Sequence, residues 1–268
     1  MIKRFYIALV LLLAVPALVL AQQPQSSMTI TVNGVSFNMI RVQGGTFTMG
    51  ATSEQSIDVH GAYLVGQKPA HKVTLSTYYI GETEVTQELW KAVMGRNPSR
   101  FIGDKRPVEK VSWADCQEFT RRLSQLTGKK FRMPTEAEWE FAARGGTRSL
   151  HYKYSGSNDI NAVAWYYENA CVKGESSPDY GTHVVKTKKP NELGIYDMSG
   201  NVGEWCSDWY GKYTDAAQTN PQGASSGSAR VYRGGDWVSS AKDCRSSSRN
   251  SSVPDNRYHI GFRLVLVP

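Results

Sequence analysis

The chain has 268 residues, with 31 basic against 24 acidic side chains and a formal net charge of +7. The excess is scattered, with no like-charge run longer than a pair, so it reads as solubility and excludes an electrostatic nucleic-acid footprint. Seven Trp and 14 Tyr beside 24 Gly describe a loop-rich fold pinned by aromatics, long enough to bury a sizeable core.

Lys3 and Arg4 precede an apolar stretch, Phe5 to Leu20, broken by Pro16. Val19 and Ala21 occupy the small-residue positions before Gln22, the pattern of a signal peptide over residues 1–21 cleaved after Ala21. A membrane anchor fits less well, because the run is short and interrupted. The expected protein is therefore periplasmic or secreted, with no membrane anchor after cleavage, a flexible linker at 22–27 and one domain over 28–268. In an oxidising compartment Cys116, Cys171, Cys206 and Cys244 permit two disulfides, with all three pairings open. Without any CxxC spacing, a zinc site is not expected.

Thr29 to Val42 alternates in two runs joined by Asn33-Gly34, a hairpin signal. A short strand is expected at Thr46–Met49, an irregular stretch over 51–70, and strand-like alternation from His71 to Val85 that Ile80 breaks. Thr86 caps a helix that Gly95 stops near Met94. Ser112 caps a second, with Trp113, Cys116, Phe119, Leu123 and Leu126 along one face and Gly128 at its end. Thr135 and Glu138 form a capping box for a third, ended by Gly145-Gly146. Residues 147–193 read as loop anchored by Trp165, Tyr166 and Tyr167. Early strands, central helices and late aromatics predict one α+β domain.

The last stretch, Arg230 to Pro268, opens on a short strand into Gly234-Gly235 and closes on the apolar run Ile260 to Val267. Between them lie more than twenty residues rich in Ser, Asn, Asp and Arg. Two framework strands holding out a polar segment is the usual way a scaffold presents a functional loop. Gly223-Ala224-Ser225-Ser226-Gly227 matches a GxSxG string, but without a preceding apolar strand it lacks the nucleophile-elbow context.

Four motifs occur in order: Arg132-Met133-Pro134-Thr135-Glu136-Ala137-Glu138-Trp139-Glu140, then Gly194 to Trp205, then Arg233-Gly234-Gly235-Asp236-Trp237, then Ile260-Gly261-Phe262-Arg263. Together they resemble the formylglycine-generating enzyme family, the sulfatase-modifying factors, over residues 37–267. The resemblance implies a loop-rich variant of the C-type lectin fold. It also implies a calcium site in which Asp197 and Glu204 supply carboxylates and Gly200 and Val202 backbone carbonyls, a sensible hard-cation set.

The family's enzymes oxidise a substrate cysteine with two cysteines that bind copper. Counted forward from Gly234-Gly235, the first falls on Ser239 and the second on Cys244. A Cu(I) ion wants two thiolates, which a serine does not replace, so copper is not expected here. The iron enzymes of related branches use histidines from an extra helical domain, whereas His60, His71, His151, His183 and His259 are scattered.

The chain also resembles the variable proteins of diversity-generating retroelements, which share the scaffold and end just after a Gly-Phe-Arg strand. Their last stretch is randomised at adenines, often in Asn codons, and such changes yield the residue types at Val238, Ser239, Ser240, Asp243, Ser251, Ser252, Val253, Tyr258 and His259. The expectation is a non-catalytic module that binds an unknown protein or small ligand through residues 236–259. Trp237, Ser239, Ser240, Asp243, Tyr258 and His259 should share one exposed face, with Trp205 and Phe262 as buried framework. The alternative is an oxidase that makes formylglycine, or a related oxidoreductase.

Overall fold

The computed structural model describes residues 26–56, 61–64 and 66–267. The expected signal peptide and residues 22–25 of the expected linker lie outside that range, and the linker's last residue, Ser27, already belongs to a strand. β1 (Ser27–Val32) and β2 (Val35–Val42) form the expected hairpin, with Asn33 and Gly34 at φ of 47° and 80° and Val32 facing Val35. β3 (Gly45–Met49) follows, then the short helix α1 (Ser53–Ser56). The expected strand region from His71 divides into β4 (His71–Leu75) and β5 (Tyr78–Gly81). They enter different sheets, so the alternation changes face between them.

The three capped helices form where their signals stand. α2 (Gln87–Met94) begins at Thr86, whose side chain accepts from Leu89, and ends at Gly95 in the left-handed conformation. α3 (Trp113–Thr127) carries a reciprocal capping box between Ser112 and Asp115 and ends at Gly128. After β6 (Phe131–Arg132), α4 (Glu136–Ala143) has the Thr135–Glu138 box. The loop region beyond holds a 3-10 turn (Gly146–Arg148) and the short helices α5 (Ile160–Val163) and α6 (Tyr167–Ala170). β7 (Gly203–Trp209), β8 (Gln218–Thr219), β9 (Arg230–Arg233), β10 (Arg249–Ser252), β11 (Ile260–Gly261) and β12 (Val265–Leu266) complete the fold.

Three sheets result, ordered β1-β2-β5-β12-β6, β10-β9-β7-β11 and β3-β4-β8. The terminal apolar run is not one strand, as its composition suggested. β11 pairs in parallel with β7, β12 pairs antiparallel with β5 and β6, and Phe262 to Leu264 cross between sheets. At the crossing the buried Arg263 guanidinium donates to both oxygens of Glu204 at 2.5 Å, and to the carbonyls of Gly81 and Tyr196 at 3.1 Å. One core packs α2 and α3 on the five-stranded sheet, with Trp90 stacked on Phe119 at 5.2 Å and Phe262 edge-on to both rings.

α4 is the hub of a second core, and all eight of its residues are buried. Its carboxylates are paired inside the protein. Glu136 holds Arg249 (2.6 Å), Glu140 holds Arg233 and Arg144, and Glu138 holds Arg132. Among the described residues no helix is long and apolar enough to cross a membrane.

Candidate functional site

The 236–259 segment leaves β9 through Gly234-Gly235. At Gly235, where φ is 68°, a Cβ would come within 2.8 Å of the Cys244 sulfur, so only glycine lets the backbone pass so close to that thiol. The segment is less solvated than its composition suggests. Cys244 to Arg249 are all buried. Arg245 donates to the carbonyls of Lys242 and Gln55 at 2.8 Å, and Ser247 to Gln67 at 2.9 Å. Most polar side chains inside here are hydrogen-bonded, the Ser246 hydroxyl being an exception.

Trp237 also departs from the expected exposed face, being 1% exposed. Its ring sits edge-to-face against Phe101 (5.1 Å), Tyr180 (4.9 Å) and His259 (5.0 Å). Those aromatics, supplied from distant loops, form a socket that no local pattern announces.

Above this pedestal the other candidate residues fall into three positions. The Ser239 hydroxyl donates to Asp236 Oδ1 at 2.8 Å, and His259 Nδ1 stands 4.0 Å from Asp236 Oδ2. Burial raises the Asp236 carboxyl above its usual range, opposed by the Ser239 hydrogen bond and the His259 charge. The Ser240 hydroxyl donates to Asp243 Oδ2 at 2.8 Å. Tyr258 stands outward at 76% exposure, its ring edge-on to His259 at 6.3 Å. Trp237, Ser239 and His259 thus meet around Asp236, while Ser240 and Asp243 pair with each other.

All four cysteines are free, so neither of the two disulfides that their number permitted is formed. Cys116, Cys206 and Cys244 belong to three different core clusters, so packing keeps them apart. Burial pushes the Cys244 thiol well above its usual range, with Asp236 and Asp243 adding to it. Cys171, partly exposed, is raised by burial and by the Asp236 charge. Both environments favour the thiol over the thiolate.

The expected calcium ligands lie in a tight turn with left-handed φ at Asp197, Gly200 and Asn201. Asp197 is buried and accepts from the Lys186 N–H at 2.8 Å; burial raises its carboxyl to about 6. Glu204 accepts from Trp139 Nε1 at 2.7 Å as well as from Arg263, so both of its oxygens are engaged. The structure adds Glu84, which the sequence reading passed over. Its two carboxylate oxygens are buried without a hydrogen bond, and burial together with the charges of Asp197 and Glu204 pushes it well above the usual range. Three carboxyl groups crowd one guanidinium here, and a hard cation would favour their ionised forms. Among the described residues no three acidic, His or Cys side chains already stand in a metal-holding arrangement.

The profile of the sulfatase-modifying factor enzyme 1-like domain matches residues 28–267. The chain belongs to this family. A formylglycine-generating enzyme of Streptomyces coelicolor is 29% identical over 84% of this chain and 87% of its own. A chaperone protein LppX of Paenibacillus barcinonensis is 34% identical over 86% of this chain and 90% of its own. Among solved structures, Treponema denticola variable protein 1 superposes with a TM-score of 0.78 at 36% identity, covering 91% of this chain and 100% of that one. PvdO from Pseudomonas aeruginosa gives 0.68 at 26% identity, over 86% and 94%.

The sulfatase-modifying factor motifs do mostly structural work in this chain. Glu136, Glu138 and Glu140 of the first, Glu204 of the second, Arg233 of the third and Arg263 of the fourth are ion-paired, most of them in the interior. Glu84 carried no comparable signal, since an acid two residues before a helix cap reads as solvated.

Proposed function

We propose that this sulfatase-modifying factor family protein is an exported, non-catalytic binding module that presents the 236–259 segment to a protein or small ligand. The observation that carries this reading is the state of the two positions where the family's enzymes hold their thiol pair. Ser239 stands at one with its hydroxyl tied to Asp236, and Cys244 at the other is buried as a neutral thiol. A soft copper ion has no thiolate pair to bind there. Likeness to Treponema denticola variable protein 1 over nearly the whole chain supports a scaffold whose last stretch varies; diversification by a retroelement is the form of this reading that the residue types between Val238 and His259 suggest.

The face itself is Tyr258, His259, Ser239, Ser240 and Asp243, with Trp237 beneath as its support. An exposed aromatic supplies contact area at low entropy cost, and short polar side chains supply adaptable hydrogen bonds. Calcium belongs to this reading as a structural ion. Asp197, Glu84 and the carbonyls of Gly200 and Val202 would hold it, with Glu204 shared between the ion and Arg263.

The test is to incubate the purified protein with copper, oxygen and a sulfatase-type cysteine peptide. Mass spectrometry should find the peptide thiol intact. Time-dependent conversion to the aldehyde would restore the oxidase reading, with Cys171 as the second thiol to examine.

A further inference from the structure

A separate cleft of about 240 Å³ lies where the end of β7, the loop following it and the N-terminus of α4 meet. At roughly 30 Å³ per water it has room for a small molecule of a few heavy atoms. Its aromatic and cationic wall is held firmly in place. The Arg249 guanidinium lies over the rings of Tyr213 (4.0 Å) and Tyr210 (4.4 Å) and donates to Glu136, Gly66 O (2.9 Å) and Gly211 O (2.8 Å). Tyr213 donates to Glu136 at 3.2 Å, and the His71 ring meets Tyr213 edge-on at 4.8 Å.

Asp208 is the exception in this wall. It is 3% exposed. Its Oδ2 accepts from the Glu136 N–H (2.9 Å) and the Ser207 hydroxyl (3.0 Å). Among the described residues nothing donates to Oδ1 and no cation forms an ion pair with it. Oδ1 faces the Gly223 wall, where a Cβ would lie 2.8 Å away. Asp208 lines the cleft, so a donor bound there could use that open acceptor. Glu136, the other acid of the cleft, already has its arginine.

We propose that this cleft binds a small ammonium-bearing molecule, whose N–H groups donate to Asp208 Oδ1 while its carbon skeleton lies against Tyr213 and Met49. The cleft shares Arg249 with the 236–259 segment but none of the residues proposed for its binding face. Burial and the Glu136 charge raise the Asp208 carboxyl to about 7. The charges around it are Glu136 and Glu138 of α4, Arg132 of β6 and Arg230 of β9. Lys212, Arg249 and His71 line the cleft. A cation binds the ionised form and competes with the proton, so affinity should rise about tenfold from pH 6 to pH 8. The unliganded protein should lose stability as pH rises from about 4 to about 7, because the folded state holds that proton more tightly than the unfolded chain.

The experiment titrates the full chain with ethanolamine, glycerol and acetate at pH 6, 7 and 8, following heteronuclear NMR shifts of Tyr213 and Gln218. Ethanolamine should bind, about tenfold more weakly at pH 6 than at pH 8, and glycerol and acetate should not. Asp208→Asn should remove the pH dependence. Should that variant fail to fold, Ala224→Phe at the rim should block ethanolamine while leaving the melting temperature near that of the parent. Absence of any ethanolamine shift at millimolar concentration and pH 8, equal binding of glycerol, or undiminished binding in folded Ala224→Phe would each overturn the proposal.

Discussion

A single guanidinium can tie two sheets together, as Arg263 does by reaching Glu204, Gly81 and Tyr196 at once. Its neighbour Glu84 is the opposite case, a buried carboxylate with no hydrogen bond. That imbalance gives the calcium expectation a sharp form. An ion that binds only the folded chain stabilises it by about 2.7 kcal/mol at a hundredfold excess over its dissociation constant. Chelator should therefore lower the melting temperature, and Glu84→Gln should remove most of that difference. A melting curve indifferent to chelator, in protein that contains no metal, would sink the calcium reading.

At the scale of elements, α4 shows how a helix can be legible and yet misread. Its capping box announces the start, and its apolar Trp139, Phe141 and Ala142 announce burial. Nothing local says that Glu136 and Glu140 point inward too. Their partners Arg249 and Arg233 lie 113 and 93 residues away. Removing one member of a buried pair strands the other, at a cost of about 3–5 kcal/mol. Arg233→Ala and Glu140→Ala should each show that loss in urea denaturation, and the double variant should cost clearly less than the sum. Thr135→Ala, which removes only a cap, should cost about 1 kcal/mol. Equal losses for Thr135→Ala and Glu140→Ala would count against a buried ion pair between Glu140 and Arg233.

For the whole molecule, the segment between β9 and β11 is partly core and partly display. Tyr258→Ala should change stability by no more than about 0.5 kcal/mol, as exposed substitutions usually do. His259→Asn keeps a residue type tolerant of its φ of 44° and should also be mild. Trp237→Ala belongs with Phe262→Ala, at about 3–5 kcal/mol, because both rings are buried. Thermal unfolding of the four variants separates the groups. If Tyr258→Ala melts as early as Phe262→Ala, the segment is framework and presents no face.

The sequence by itself determined the hairpin at Asn33-Gly34, the three capped helices and their glycine stops, and, through four ordered motifs, the family. Those signals are local, or are strings long enough to be specific, and local backbone preferences act wherever the segment ends up. Tertiary structure decided what lies inside. It divided the run from Ile260 between two sheets, since strand pairing depends on neighbours far along the chain. It buried Trp237 under Phe101 and Tyr180, and placed Cys116, Cys206 and Cys244 in three different core clusters. It also left Glu84 without a hydrogen bond and Asp208 without an ion pair among the described residues, because whether a carboxylate finds a partner is set by residues that only folding brings within reach.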